Sequence, residues 1–248
     1  MSQILELKDI SYSYHSLEGE TKAIDNVSFS IKEGEFVAIV GPSGCGKSTI
    51  LRMISGLIKP ENGSIRLNTS TIGYMLQQDE LLPWRTIYQN VLLGLEIRHS
   101  FNSDTKGKAM ELLEAYGLKD FANAKPSELS GGMRQRAALI RTLLLEPELL
   151  LLDEPFSALD YQTRLHVSND IGQIIRSTNK TAILVTHDIS EAISLADRVI
   201  ILSKRPSIVK QTVTISFENA DLSPLERRNA SEFKSIFNLI WKELNHGE

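Results

Sequence analysis

The sequence predicts an α/β chain, a mixed-sheet core interrupted by a block of helices. Three observations carry the prediction. FVAIV (36–40) is continuously apolar, and LLLLD (149–153) and the stretch from Ala182 to Thr186 are apolar up to their last residue, the pattern of strands buried on both faces, and each leads into helical spacing. Residues 84–147, between the first and second of these strands, read as helices, with a proline-containing loop at Asn123–Glu128. Near the amino terminus, 4–10 and 27–31 alternate apolar and polar residues (Val27, Phe29, Ile31), the period of antiparallel strands with one wet face.

The elements follow in order. After the strand ending at Val40 comes a glycine-rich turn, then a helix from Lys47 to about Leu57. Short strands are expected at Ser64–Leu67 and Ile72–Leu76. Ile87, Val91, Leu92 and Leu95 form a helical stripe within Thr86–Ile97, and Lys106–Tyr116 is a second helix closed by Gly117. Gly131–Leu145 is a third, with Ser130 as N-cap and Pro147 beyond its end. Helices at Tyr161–Ser177 and Ile189–Leu195 and a strand at Val199–Ser203 complete the βα alternation. Pro224–Leu244 reads as one helical tail, with Leu225, Phe233, Phe237, Ile240 and Leu244 near one face.

Composition narrows the function. The 248 residues carry 27 Lys+Arg against 31 Asp+Glu, a net charge of −4, which argues against a nucleic-acid partner. The single cysteine excludes an intramolecular disulfide and any multi-cysteine metal site. No stretch approaches the roughly 18 apolar residues of a membrane span, so work at a membrane requires a peripheral subunit. The start, MSQILELKDI, has acidic residues early and no apolar h-region, and is read as folded chain, not a signal peptide.

Three segments carry chemistry. GPSGCGKST (41–49) matches G-x-x-x-x-G-K-[ST] between a buried strand and a helix. Gly41, Gly44 and Gly46 let backbone N–H groups converge on phosphate oxygens, and Pro42, Ser43, Cys45 and Thr49 complete the loop. Lys47 can bridge β- and γ-phosphates, and the Ser48 hydroxyl can ligate Mg²⁺. Cys45 is expected to be packed, and to serve as an alkylation probe if helix-start electrostatics lower its pKa. In LLLLDEP (149–155), Asp153 ends a strand at the carboxyl edge of the sheet, placed to hold Mg²⁺, and Glu154 is the candidate base or water-orienting group. In LSGGMRQ (129–135), Ser130, Gly131 and Gly132 open a helix and make a second anion-binding N-terminus, which suggests a composite site.

With LSGGM followed by RQR, the chain resembles the nucleotide-binding subunit of an ATP-binding cassette (ABC) transporter over essentially its whole length. The resemblance implies a P-loop NTPase fold with a RecA-like core. On it, residues 1–83 and 148–220 form the nucleotide-binding core, 84–147 the helical signature subdomain and 221–248 a C-terminal tail. It implies two subunits sandwiching two ATP molecules head to tail. Gln77 in YMLQQDELLPW resembles the glutamine that touches Mg²⁺ and links the lobes, chosen over adjacent Gln78 by its spacing to Leu81, Leu82, Pro83 and Trp84. SALD (157–160) resembles the loop crossing the dimer interface, with Asp160 meeting the partner's P-loop. His187 in VTHD resembles the γ-phosphate-sensing histidine, and Tyr14 the aromatic that stacks on adenine, with Tyr12 an alternative on the same side of the strand.

Transmembrane permease subunits are implied partners, with a solute-binding protein indirectly, at the cytoplasmic face of the membrane. Leu81, Leu82 and Trp84 are read either as an exposed permease contact or as packing between lobes. LLPW and the short tail resemble the nitrate/sulfonate/taurine importer group, whose members also move bicarbonate or pyrimidine precursors. The stretch from Pro60 to Gln77 is short for that group, which leaves the strand count there open. An exporter motor, a soluble cassette ATPase of repair or translation, and a regulatory cassette are the rival readings.

Overall fold

The computed structural model describes residues 2–17, 19–157 and 159–245. In chain order its strands are β1 (Gln3–Ser16), β2 (Gly19–Lys32), β3 (Phe36–Val40), β4 (Asn62–Leu67), β5 (Ile72–Met75), β6 (Leu149–Asp153), β7 (Thr181–Val185), β8 (Arg198–Leu202) and β9 (Val209–Thr214). The α-helices are α1 (Lys47–Ile54), α2 (Ile87–Ile97), α3 (Ser103–Ala115), α4 (Gly131–Leu143), α5 (Tyr161–Ser177), α6 (Ile189–Leu195), α7 (Pro224–Arg227) and α8 (Phe233–Asn245).

A six-stranded sheet runs in the order β5-β6-β7-β3-β8-β9, parallel except for β9. Its four inner strands, β6, β7, β3 and β8, are buried on both faces almost throughout, which explains their apolar runs. Phe36, Ala38, Leu150, Leu152, Ala182 and Leu184 face a core shared with α2 to α6 and α8. Val37, Ile39, Leu149, Leu151, Ile183 and Val185 face a second core shared with α1 and the antiparallel sheet β2-β1-β4. Alternate residues thus serve opposite cores, as the period of two requires.

The parallel register decides where function can sit. Met75 pairs with Leu152, Asp153 with Val185, and Val185 with Ile39. The chain therefore leaves β3, β5, β6 and β7 at one edge of the sheet, the edge where open α/β sheets hold ligands.

Several elements differ from expectation. β1 and β2 run to 14 residues each, bent by register shifts near the positive-φ residues Asp9 and Asn26. β4 pairs with β1, so the short 60–77 stretch supplies one strand to each sheet. β9 is a half-exposed edge strand, whose VKQTVT sequence carries too little apolar signal to announce it. α1 stops at Ile54 because Gly56 turns left-handed at φ +78. The tail is two helices, not one. Ser223 and Glu226 cap the short α7, the buried Arg227 donates to the carbonyls of Ser194 and Ala196, and α8 starts afresh at Phe233.

In the helical block, buried Asn90 fixes the 81–86 turn. Its Oδ1 accepts from Leu82 N at 2.7 Å and its Nδ2 donates to the carbonyls of Leu82 and Thr86. Leu81 is consequently buried and Leu82 half-buried, while Trp84 is 71% exposed. The reading of Leu81 as an exposed contact is thereby corrected, because it packs into the helical core.

α8 packs against α6, β8 and β9, with Phe233, Phe237 and Trp241 stacked along it. Its last turn comes to the rim of the glycine-rich loop, where Trp241 and Leu244 share a cavity of about 300 Å³ with Pro42, Ser43 and His187.

Candidate functional site

The turn after β3 wraps the start of α1. Gly44 (φ +72) and Gly46 (φ +110) adopt backbone conformations that side chains disfavour. A Cβ at Gly41 would lie 2.8 Å from Cys45 Sγ. Cys45 is packed as expected, at 1% exposed, and burial pushes its thiol pKa up, so the lowered pKa on which its use as an alkylation probe depended is not found. Lys47 is almost wholly buried, and its Nζ donates to the carbonyls of Gly41 (2.9 Å) and Pro42 (3.1 Å). A buried ammonium resting on carbonyls at the mouth of a loop is poised to exchange those dipoles for an anion.

The Ser48 hydroxyl donates to Asp153 Oδ1 at 2.8 Å, and the Tyr74 hydroxyl to Oδ2 at 3.2 Å. Burial raises the Asp153 pKa, while these two hydrogen bonds work against the rise. Burial and the Asp153 charge likewise hold the Tyr74 phenol well above its usual pKa, so it stays a donor. Sequence reasoning missed Tyr74. No spacing in the sequence marks it, since its role arises only from the pairing of β5 with β6.

Glu154 sits at φ +46, unusual for a non-glycine residue, and its N–H closes onto the Val185 carbonyl at 2.9 Å. Such conformations cost on the order of 1–3 kcal/mol and persist where surroundings enforce them. Two loops meet on one oxygen of this side chain: His187 Nδ1 lies 3.0 Å from Glu154 Oε2, and Gln77 Nε2 donates to it at 3.4 Å. Gln78 makes no such contact, and its neighbours are the residues of the cleft toward α4.

Tyr14, at the end of β1, completes the cavity. Its hydroxyl is 2.8 Å from Thr49 Oγ1, and it shares a space of about 290 Å³ with Ser43, Gly44, Gly46, Lys47, Ser48 and Glu154. Tyr12 is half-buried against the core and meets Tyr14 edge-on at 5.1 Å. Register shifts interrupt the strand between Ile10 and Ser13, and of the two tyrosines only Tyr14 lines the cavity.

Ser130, Gly131, Gly132 and Asp160 stand apart from this cavity. The Ser130 hydroxyl accepts from Met133 N and caps α4, while Asp160 accepts from Thr163 N and caps α5. The two caps are neighbours, since a Cβ on Gly132 would come within 2.5 Å of Thr163 Cγ2. Ala158 of the SALD segment lies outside the described residues. One chain thus carries a phosphate-loop cluster and a separate pair of helix starts. The cleft between them is crossed by polar bonds that sequence reasoning missed: Arg134 donates to Asp79 at 2.9 Å, and Gln135 to the Gln77 carbonyl at 3.3 Å.

No group of three or more His, Cys, Asp or Glu among the described residues could cage a metal. The hydroxyl of Ser48 beside the carboxylate of Asp153 does fit Mg²⁺, a hard cation that takes one or two protein oxygens and draws the rest from phosphates and water.

A family model described as ABC transporter matches residues 24–157. An uncharacterized ABC transporter ATP-binding protein of Bacillus subtilis, YtlC, is 45% identical over 248 residues, 97% of this chain and 95% of its own length. The nitrate import ATP-binding protein NrtD of Synechocystis is 37% identical over 230 residues, 90% and 86%. The aliphatic sulfonates import ATP-binding protein SsuB of Bacillus thuringiensis is 34% identical over 250 residues, 98% and 96%. Among solved structures, the dimeric post-hydrolysis state of the ATP-binding cassette MJ0796, bound to ADP and Pi, superposes with a TM-score of 0.76 at 34% identity. It covers 86% of this chain and 99% of that one.

Proposed function

The chain belongs to the ABC transporter family, and from that premise we propose that it is the ATPase subunit of an importer for a small solute, with sulfonates and nitrate as the leading classes. The observation that carries the reading is the meeting of four sheet-edge loops on Lys47, Asp153 and Glu154. The solute classes rest on the names of the relatives and on the LLPW turn; taurine, bicarbonate and pyrimidine precursors belong to the same range.

The residues take these roles. Gly41 to Thr49 hold the triphosphate on backbone N–H groups and the α1 N-terminus, and Lys47 leaves its carbonyls for the β- and γ-phosphates. Tyr14 stacks on the adenine. Ser48 and Asp153, with Gln77 at the rim, hold Mg²⁺, which neutralises charge on the transferring phosphoryl group when bound. Glu154 accepts a proton from, or orients, the attacking water, and His187 keeps its carboxylate aimed while reading the γ-phosphate.

Ser130, Gly131, Gly132 and Asp160 act in trans, on the nucleotide of a second copy placed head to tail. Their separation from the cavity within one chain and the dimeric state of the similar cassette support this. We take residues 1–83 and 148–220 as the nucleotide-binding core, 84–147 as the signature lobe and 221–248 as the tail. No described helix is long and apolar enough to cross a membrane, so the reading requires separate permease subunits and a peripheral position at the cytoplasmic face. Trp84, held outward by the Asn90 knot, is the permease contact.

The test is ATPase activity across a protein concentration series, wild type beside Glu154→Gln, with mass by size exclusion in Mg-ATP. Activity rising faster than linearly, and a variant at least about 10²-fold slower that accumulates as an ATP-bound dimer, is expected. Near wild-type turnover by the variant sinks the Glu154 assignment.

A further inference from the structure

Lys47 is not the only cation facing the nucleotide cavity. Arg205, on the turn between β8 and β9, lines the same space as Tyr14, Ala23, Gly46 and Lys47. Its side chain is exposed and has no hydrogen-bond or ion-pair partner among the described residues. Arg198, at the start of β8, contrasts with it: that guanidinium is committed to Glu35 at 2.7 and 3.0 Å and to the Ser30 carbonyl. Arg205 has no such structural task.

The turn that carries it is firmly placed. Ser207 is fully buried. Its N–H donates to the Ala23 carbonyl at 3.0 Å, its hydroxyl donates to the same carbonyl at 3.3 Å, and its own carbonyl accepts from Asp25 N at 2.9 Å. Across the turn, Ser203 N donates to the Ile208 carbonyl and Ile208 N to the Ser203 hydroxyl. The same stitching closes on the phosphate loop, since a Cβ at Gly46 would lie 3.1 Å from Ile24 Cγ1 and 3.5 Å from Ser207 Oγ. A free guanidinium is therefore mounted on a fixed turn, at the wall between the base-side tyrosine and the start of α1.

We propose that Arg205 is a nucleotide-binding residue that grips the diphosphate portion of the ligand and sets affinity for nucleoside di- and triphosphates, not the rate of hydrolysis. This rests on the reading of the cavity as the ATP site. The chemistry favours arginine: its planar fork donates two parallel hydrogen bonds to phosphate oxygens and keeps its charge at all working pH values. The geometry gives a division of labour. Lys47, inside the loop, serves the reacting end, and Arg205, on the turn stitched to Ala23, serves the end nearer the base.

The experiment measures MgADP and MgATP affinity and steady-state ATPase kinetics for wild type, Arg205→Gln, Arg205→Lys and Lys47→Ala. Arg205→Gln is expected to weaken ADP and ATP by similar factors, on the order of tenfold, the size of one charge-assisted contact. KM for ATP rises in step while kcat stays within about twofold. Arg205→Lys recovers part of the affinity. Added salt weakens ADP binding more steeply in the wild type than in Arg205→Gln. Unchanged ADP affinity in Arg205→Gln overturns the proposal, as does a fall in kcat at unchanged KM or a lowered melting temperature that accounts for the loss. Lys47→Ala separates the two levels. If it abolishes nucleotide binding while Arg205→Gln binds as wild type, only the Arg205 inference fails. If wild type and Lys47→Ala are alike, the reading of the site fails and Arg205 falls with it.

Discussion

A single carboxylate oxygen, Glu154 Oε2, is held by His187 from the loop after β7 and by Gln77 from the loop after β5. Asp153 is likewise held at both oxygens, by Ser48 and Tyr74. Tyr74→Phe removes one donor to a buried carboxylate, a change of about 1–3 kcal/mol, and the half-saturating Mg²⁺ concentration for ATPase activity should rise. An unchanged Mg²⁺ titration would falsify the positioning role of Tyr74. Glu191 gives a pH prediction. It is buried beside Thr186, whose hydroxyl donates to it at 2.7 Å, and burial raises its pKa. An acid whose folded pKa is raised contributes stability below its unfolded pKa and loses it as pH rises through the folded value. Glu191→Gln escapes that loss, so its melting temperature should gain on wild type from pH 5 to pH 8; a constant gap contradicts the assignment. Lys47, Ser48, Asp153, Glu154 and His187 were legible because each ends an apolar strand or follows a glycine turn. Tyr74 and Arg205 were not, since their meaning lies in partners 79 residues away or in a pocket, and no spacing encodes either.

Among the elements, the starts of α4 and α5 pack with no room for a side chain at Gly132. Gly132→Ala would drive a methyl to within 2.5 Å of Thr163 Cγ2. Overpacking of this kind costs typically 1–3 kcal/mol. Chemical denaturation of the single variant should show that loss, and Thr163→Ser in the same chain, which deletes the obstructing methyl, should restore most of it. Failure of the double variant to recover places the strain elsewhere. The doubly buried strands and the capped helices of the middle were readable from pattern alone. Elements whose stability comes from other elements were not. β9 exists because β8 pairs with it, and the break between α7 and α8 is set by Arg227 reaching carbonyls near the end of α6.

For the whole molecule, the parallel sheet explains why so much of the site was visible before any fold was known. The carboxyl ends of five parallel strands emerge at one edge, so motifs more than 100 residues apart had one place to meet. Ser48 and Asp153, 105 positions apart, are the clearest instance. The outer surface was harder to read, since exposure depends on what lies underneath. Leu81 and Trp84 stand three residues apart in one apolar-looking run, yet only the tryptophan faces solvent. Trp84→Ala should reduce association with the permease while leaving the ATPase activity of the isolated chain and its melting temperature near wild type. Equal loss of both would return Trp84 to a packing role.

The two ends of the described chain lie on opposite edges of the main sheet. Ser2 accepts a hydrogen bond from Glu33, just before β3 begins, whereas Trp241 and Leu244 border the cavity beside Pro42 and His187. A purification handle or fluorescent reporter joined before Ser2 therefore hangs behind the ATPase machinery. The same fusion made after Asn245 starts at the rim of the phosphate loop, so an impaired C-terminal fusion would report obstruction, not a damaged enzyme.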